Sequence, residues 1–385
     1  MNCYDIYAEL KDLSERVLLS SGSISLLFLF LGCAESDSPP TVDYQITHSV
    51  DTLQVVFEIG EEIGDSTNTF WSIVGVDIDD QGRIFVVDEI DASVKAYDLQ
   101  GNYIQQVTRR GNGPGELQHP QGLCIMPDGR LVIIAPSKNG YVVFNDSLEF
   151  VEEVSLWLNN SPYHVSPLTN NKLVACRYDG NPETDAEWQT AAIYNWSEPD
   201  WETLLWKDSI QISNSEYDRD PSVSINFTVF HLLSSYGDGN GNVYFGQVDA
   251  FEYRVIGWDS TGTEILSITR DMTPVEKSTE EIASESEYMN YTYQRMGGSP
   301  SRDVHPSIYE NMISEVGIGP DKNLWVRRGT HNELFFDIYN LEGNLLSHAV
   351  YPVESWSWEI KITTQGILAW ELDPLEGFQK LYFLE

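Results

Sequence analysis

Cysteine is scarce in this 385-residue chain: Cys3, Cys33, Cys124 and Cys176 are the only four, and no CxxC pair exists. Neither a dense disulfide scaffold nor a thiol-built zinc site can organise the fold. Basic residues are also few, 22 Lys and Arg against 60 Asp and Glu, and a net charge of −38 repels the phosphate backbone of nucleic acid. The apolar block at residues 24–31, ISLLFLFL, is too short to cross a bilayer as a helix. No GxSxG elbow, HExxH pair or dinucleotide fingerprint occurs. What the chain has is apolar content, 41% with 12% aromatics, enough for a large core and too much for disorder.

It also has a repeat. Six turns rich in Asp, Asn and Gly run into apolar strands, at Asp80-Gln81-Gly82, Asp128-Gly129, Asn170-Asn171, Asn240-Gly241, Asp321-Lys322-Asn323 and Gln365-Gly366. In most copies a later strand ends in an aromatic residue, then Asp or Asn and a second turn, as in Tyr97-Asp98, Phe144-Asn145, Tyr194-Asn195, Trp258-Asp259 and Tyr339-Asn340. Recurrence of strand-turn-strand units every 40 to 50 residues is the mark of a β-propeller with one four-stranded blade per repeat. The expected fold is all-β, a six-bladed β-propeller over residues 51–385. After Gly366 only two strands remain, so blade six lacks its outer strand, and residues 52–59 are expected to supply it and close the ring. Cys124 falls on an innermost strand and Cys176 on a second strand, both read as small buried core residues. Three stretches lengthen the repeats, residues 178–188, 206–228 and 271–314; the third carries Pro274 followed by acids and is expected to hold a helix.

The amino terminus reads as an address. The apolar block followed by Gly32-Cys33 has the form of a secretory signal, residues 1–32, with residues 33–50 as a polar, proline-bearing tether. Gly before Cys resembles the bacterial lipobox, which implies lipidation of Cys33; Phe30 and Leu31 depart from its usual residues, and acids precede the apolar block. The expected location is the outer membrane, with the body in the periplasm or at the cell surface.

The passage Gly111-Asn112-Gly113-Pro114-Gly115-Glu116-Leu117-Gln118-His119-Pro120-Gln121-Gly122, continuing to Asp128-Gly129-Arg130, resembles an NHL-type repeat. The body as a whole is similar to six-bladed propeller lipoproteins of Bacteroidetes-like bacteria, many of which have no assigned activity; the favoured reading is a binding or scaffold protein whose channel mouth and insertions present a ligand or partner surface. Some NHL-type propellers are zinc-dependent lyases with channel histidines. Their motif has a histidine after the proline, where this chain has Gln121, so that ligand set does not carry over.

Ten residues before each hairpin turn stand Ser72, His119, Ser161, His231, Met312 and Trp356, a position leading into the innermost strand. His119 and His231, with His164 and His305 nearby in sequence, are candidate ligand-binding residues at a channel mouth, as is Trp356; His119 and His231 are also candidates for a transition metal. Arg109 and Arg110 are candidates for gripping a carboxylate or phosphate. The expected partner is a small molecule, glycan or peptide, and no cofactor is assigned. The competing reading is a metal-dependent lyase or lactonase-like hydrolase working through His119 and His231.

Overall fold

The computed structural model describes residues 48–61, 66–155, 163–181, 186–195, 202–210, 233–295, 306–330, 333–353, 357–372 and 378–385. Two short strands come first, β1 (Val50–Thr52) and β2 (Val55–Ile59). Blade 1 then comprises β3 (Ile73–Ile78), β4 (Ile84–Asp88), β5 (Ser93–Tyr97) and β6 (Tyr103–Thr108). Blade 2 comprises β7 (Gly122–Ile125), β8 (Leu131–Ala135), β9 (Gly140–Phe144) and β10 (Phe150–Ser155). Blade 3 is β11 (Tyr163–Thr169), β12 (Lys172–Asn181), β13 (Ala186–Asn195) and β14 (Glu202–Ile210). Blade 4 is β15 (Leu233–Gly237), β16 (Asn242–Gln247), β17 (Tyr253–Asp259) and β18 (Glu264–Arg270), followed by the helix α1 (Thr279–Arg295). Blade 5 is β19 (Glu315–Ile318), β20 (Leu324–Arg327), β21 (Glu333–Tyr339) and β22 (Leu345–Pro352); blade 6 is β23 (Trp358–Thr363), β24 (Gly366–Glu371) and β25 (Leu381–Leu384), completed by β2.

The turns form for a local reason. Asp79 accepts hydrogen bonds at Oδ1 from the backbone of Gln81 at 3.0 Å and Arg83 at 2.8 Å, while Gly82 takes a left-handed φ of 76° that other residues resist. The same Asx capping recurs at Asp98, Asn145, Asp238, Asp259 and Asn340. Each turn fixes a hairpin register, and alternation along the strands then directs apolar side chains to both faces of each blade.

Those faces meet as six apolar clusters, one at each junction between neighbouring blades. Phe85, Val94 and Leu131 join blades 1 and 2; Cys124, Tyr141 and Leu173 join 2 and 3; Cys176, Ile193 and Phe245 join 3 and 4. Tyr253, Val316 and Val326 join 4 and 5, Trp325, Phe336 and Ile362 join 5 and 6, and Ile84, Leu368 and Phe383 join 6 and 1. Contacts among the inner strands run β3, β7, β11, β15, β19, β23 and back to β3, so these strands surround one axis. The fold is therefore the all-β six-bladed propeller that the repeats predict, and Cys124 and Cys176 are both buried.

Closure occurs as expected, with a refinement. β2 pairs antiparallel with β25, Phe57 opposite Phe383, their rings stacked at 5.1 Å. A register shift between Val55 and Phe57 interrupts the ladder, and Val55 is exposed. Residues 50–52 belong instead to blade 5, where β1 pairs in parallel with β22 as a fifth strand. The helix in the third insertion begins at Thr279 and not near Pro274.

Candidate functional site

Ladder register sets one residue of every inner strand at the same depth. Asp77 lies opposite Phe85, Cys124 opposite Val132, Ser166 opposite Val174, Tyr236 opposite Tyr244, Gly317 opposite Trp325 and Lys361 opposite Leu368. Each partner is the second apolar residue of its blade's second strand. The residues next along, such as Ile78, Ile318 and Ile362, pack against the preceding blade. By alternation the ring itself turns the other way, toward the following blade, as Cys124 does in the junction of blades 2 and 3.

The members sense one another across the axis. Lys361 Nζ stands 5.8 Å from the centroid of the Tyr236 ring, two blades away. Between them Gly317 adds no side chain, and a Cβ there would come within 2.7 Å of Ile362 Cβ. Asp77 accepts at Oδ1 from the backbone of Ile78 at 2.9 Å and at Oδ2 from that of Ile125, in the next blade, at 3.1 Å. Burial pushes the Asp77 carboxyl above its ordinary range, against the pull of the Lys361 charge. Burial and the Asp77 charge likewise raise the Cys124 thiol and the Tyr236 phenol, keeping both protonated at neutral pH.

Two residues nearer the start of the inner strands lie Glu315 and Glu359. Glu315 stands opposite Arg327, a buried guanidinium whose charge is disfavoured by burial and supported by Glu359 and Glu315. Arg327 Nε has no hydrogen-bond partner among the described residues. Acid, base and phenol thus meet on a rigid β frame, a setting suited to orienting a small polar ligand.

Those residues singled out from sequence that are described lie outside this ring. Arg109 is exposed and forms a hydrogen-bonded ion pair with Glu116, Nε to Oε1 3.0 Å, at the edge of a groove of about 490 Å³ lined also by Gln106, Pro114 and Phe150. Arg110 donates to the Ile90 carbonyl. His119 takes a left-handed φ of 48°, and its side chain is 72% exposed with Nδ1 3.8 Å from Glu89 Oε1. Met312, at the equivalent position of blade 5, is buried in the apolar junction of blades 4 and 5. The backbone of His164 belongs to β11, but its side chain lies outside the described residues, as do Cys33, His231, His305 and Trp356. Among the described residues no group of three or more His, Cys, Asp and Glu side chains could hold a metal ion. The ring was reachable from sequence by stepping five residues back from each turn instead of ten.

A family model described as "6-bladed beta-propeller" matches residues 65–237. No curated protein matches this chain. Among solved structures the chain is similar to a protein described as exported, from Bacteroides fragilis, with 12% identity and a TM-score of 0.48 over 86% of this chain and 95% of that one. A member of the duf4221 family from Bacteroides vulgatus has 8% identity and a TM-score of 0.49, covering 86% and 97%. Virginiamycin B lyase from Staphylococcus aureus has 12% identity and a TM-score of 0.42, covering 86% and 98%. At these identities the likeness is one of fold.

Proposed function

We propose that this chain is an extracytoplasmic binding protein that takes a small polar ligand in the central channel of its propeller. The observation that carries this reading is the mixed ring of Asp77, Tyr236 and Lys361, held at one depth by three inner strands. A channel needed only for packing would be filled by apolar side chains, because placing charge there costs free energy unless the charge is used or fully paired. The NHL-like loop and its arginines belong on this reading to the connection between blades 1 and 2.

Tethering through a lipid on Cys33 completes the proposal, with the acidic body kept soluble by its carboxylates. Among the described residues no helix is long and apolar enough to cross a membrane. Labelled palmitate fed to expressing cells should enter the protein and be absent from Cys33→Ser.

Thermal denaturation of the purified protein against a panel of sugars, amino acids and organic acids tests the binding role. A ligand at one hundred times its Kd should add about 2.7 kcal/mol of stability. The gain should disappear in the double variant Asp77→Asn, Lys361→Met; a gain that survives in the double variant places the ligand outside the channel.

A further inference from the structure

We infer that Lys361 and Tyr236 are the anion-binding pair of the channel, and that its ligand carries a small monoanionic carboxylate. This rests on the reading above that the channel takes the ligand. Most buried and half-buried cations elsewhere among the described residues have acceptors, Arg327 Nε being an exception. Lys277 meets Glu285 at 2.5 Å, Arg328 and Arg270 both meet Asp337, and Lys95 donates to the carbonyls of Ser66 and Thr69.

Lys361 does not. Among the described residues its ammonium has no carboxylate within the 4.0 Å of an ion pair and no hydrogen-bond acceptor; only the Tyr236 ring lies beneath it. The Tyr236 hydroxyl also finds no acceptor among those residues and stays protonated, so it too is a donor without a partner. Asp77, the acid at the same depth, spends its oxygens on the amides of Ile78 and Ile125. It acts as a counter-charge at a distance and leaves the ammonium's hydrogens free. Two neighbouring donors, one charged and one neutral, suit the two oxygens of a carboxylate.

The surrounding charge restricts which anion. Asp77 at the same depth, with Arg327 already engaged by Glu315 and Glu359, disfavours a phosphate or dicarboxylate, whose second charge Lys361 cannot balance as well.

Trifluoroacetate serves as the probe, followed by its fluorine resonance with the purified protein. The resonance should broaden on adding protein and sharpen again with excess acetate, whereas an equal concentration of inorganic phosphate should displace it less well. Affinity should fall at least tenfold in Lys361→Met, severalfold in Tyr236→Phe, and recover in Lys361→Arg, all with thermal midpoints close to the parent. An unbroadened resonance, or broadening equal in Lys361→Met, overturns the inference. A neutral or cationic ligand whose binding is lost in Asp77→Asn but kept in Lys361→Met overturns the carboxylate while leaving the channel reading intact. Ligands indifferent to every ring substitution overturn both.

Discussion

Asp337, fully buried on β21, is held from four directions. Arg328 donates to it through Nε at 2.9 Å and Nη2 at 2.7 Å, Arg270 Nη1 stands at 3.0 Å, and the Tyr253 hydroxyl donates at 2.9 Å. His348 places Nδ1 2.8 Å away, a hydrogen bond when that nitrogen carries the proton. Burial alone would raise this carboxyl, but the bonds from His348 and Arg328 and the charges of both arginines outweigh it and hold the group well below its ordinary range. A carboxyl lowered on folding stabilises the protein above its unfolded value near 3.8 and loses that contribution as the pH falls below it. Asp337→Asn should therefore cost about 3–5 kcal/mol at pH 7, because two arginines are left without their counter-charge. Urea unfolding at pH 7 and pH 3 should show the deficit shrinking in acid. Asp77 has the opposite sign: raised by burial, its ionised form weakens the fold as the pH climbs through 3.8, so Asp77→Asn should gain on the parent over the same rise. A carboxylate that costs stability where it sits fits a ligand site better than a structural one.

The helix insertion shows how an element's boundary is decided by competing partners. Pro274 followed by acids looks like a helix start, yet residues 275–277 are drawn into antiparallel pairing with 308–310, Lys277 donating to the Ile308 carbonyl and Glu310 to that of Val275, both at 2.9 Å. The helix begins only after Ser278. There the Glu281 amide donates to Ser278 Oγ at 3.2 Å and the Ser278 amide to Glu281 Oε2 at 2.6 Å, a reciprocal capping box. The pairing that displaced the start left no mark near Pro274, because its partner segment lies beyond the helix. Ser278→Ala should cost about 1 kcal/mol, confined to this element. Amide exchange should quicken over residues 279–282 while the inner strands keep their protection.

At the scale of the molecule, the blades were legible because each rests on a local signal, a polar turn that in most copies is Asx-capped or carries glycine at positive φ, with two-residue alternation on either side. The pairing of β2 with β25 was legible because counting strands left one vacancy. The fifth strand β1 carries no such signal: three exposed residues with no turn of their own pair in parallel with β22, and parallel pairing leaves no mark in nearby sequence. The ring is legible only through the repeat, since Asp77, Tyr236 and Lys361 lie on three separate blades and only the shared register, five residues before each turn, brings them to one depth. Everything at the axis then depends on closure. Phe57 stacks on Phe383, and Ile59 joins the apolar junction of blades 6 and 1 together with Ile84 and Leu368. Phe57 is half-buried, so Phe57→Ala should cost roughly 2–3 kcal/mol, below the 3–5 typical of a fully buried Phe. Removing β1 and β2 altogether, in a chain starting at Gly60, exposes the edges of β25 and β22 together, and open edges of that kind recruit other chains. The shortened chain should lose its single cooperative thermal transition and elute as aggregates. A monomer with the parent's transition would mean that five complete blades hold the sixth in place without the amino-terminal strand, and the channel ring would then owe nothing to closure.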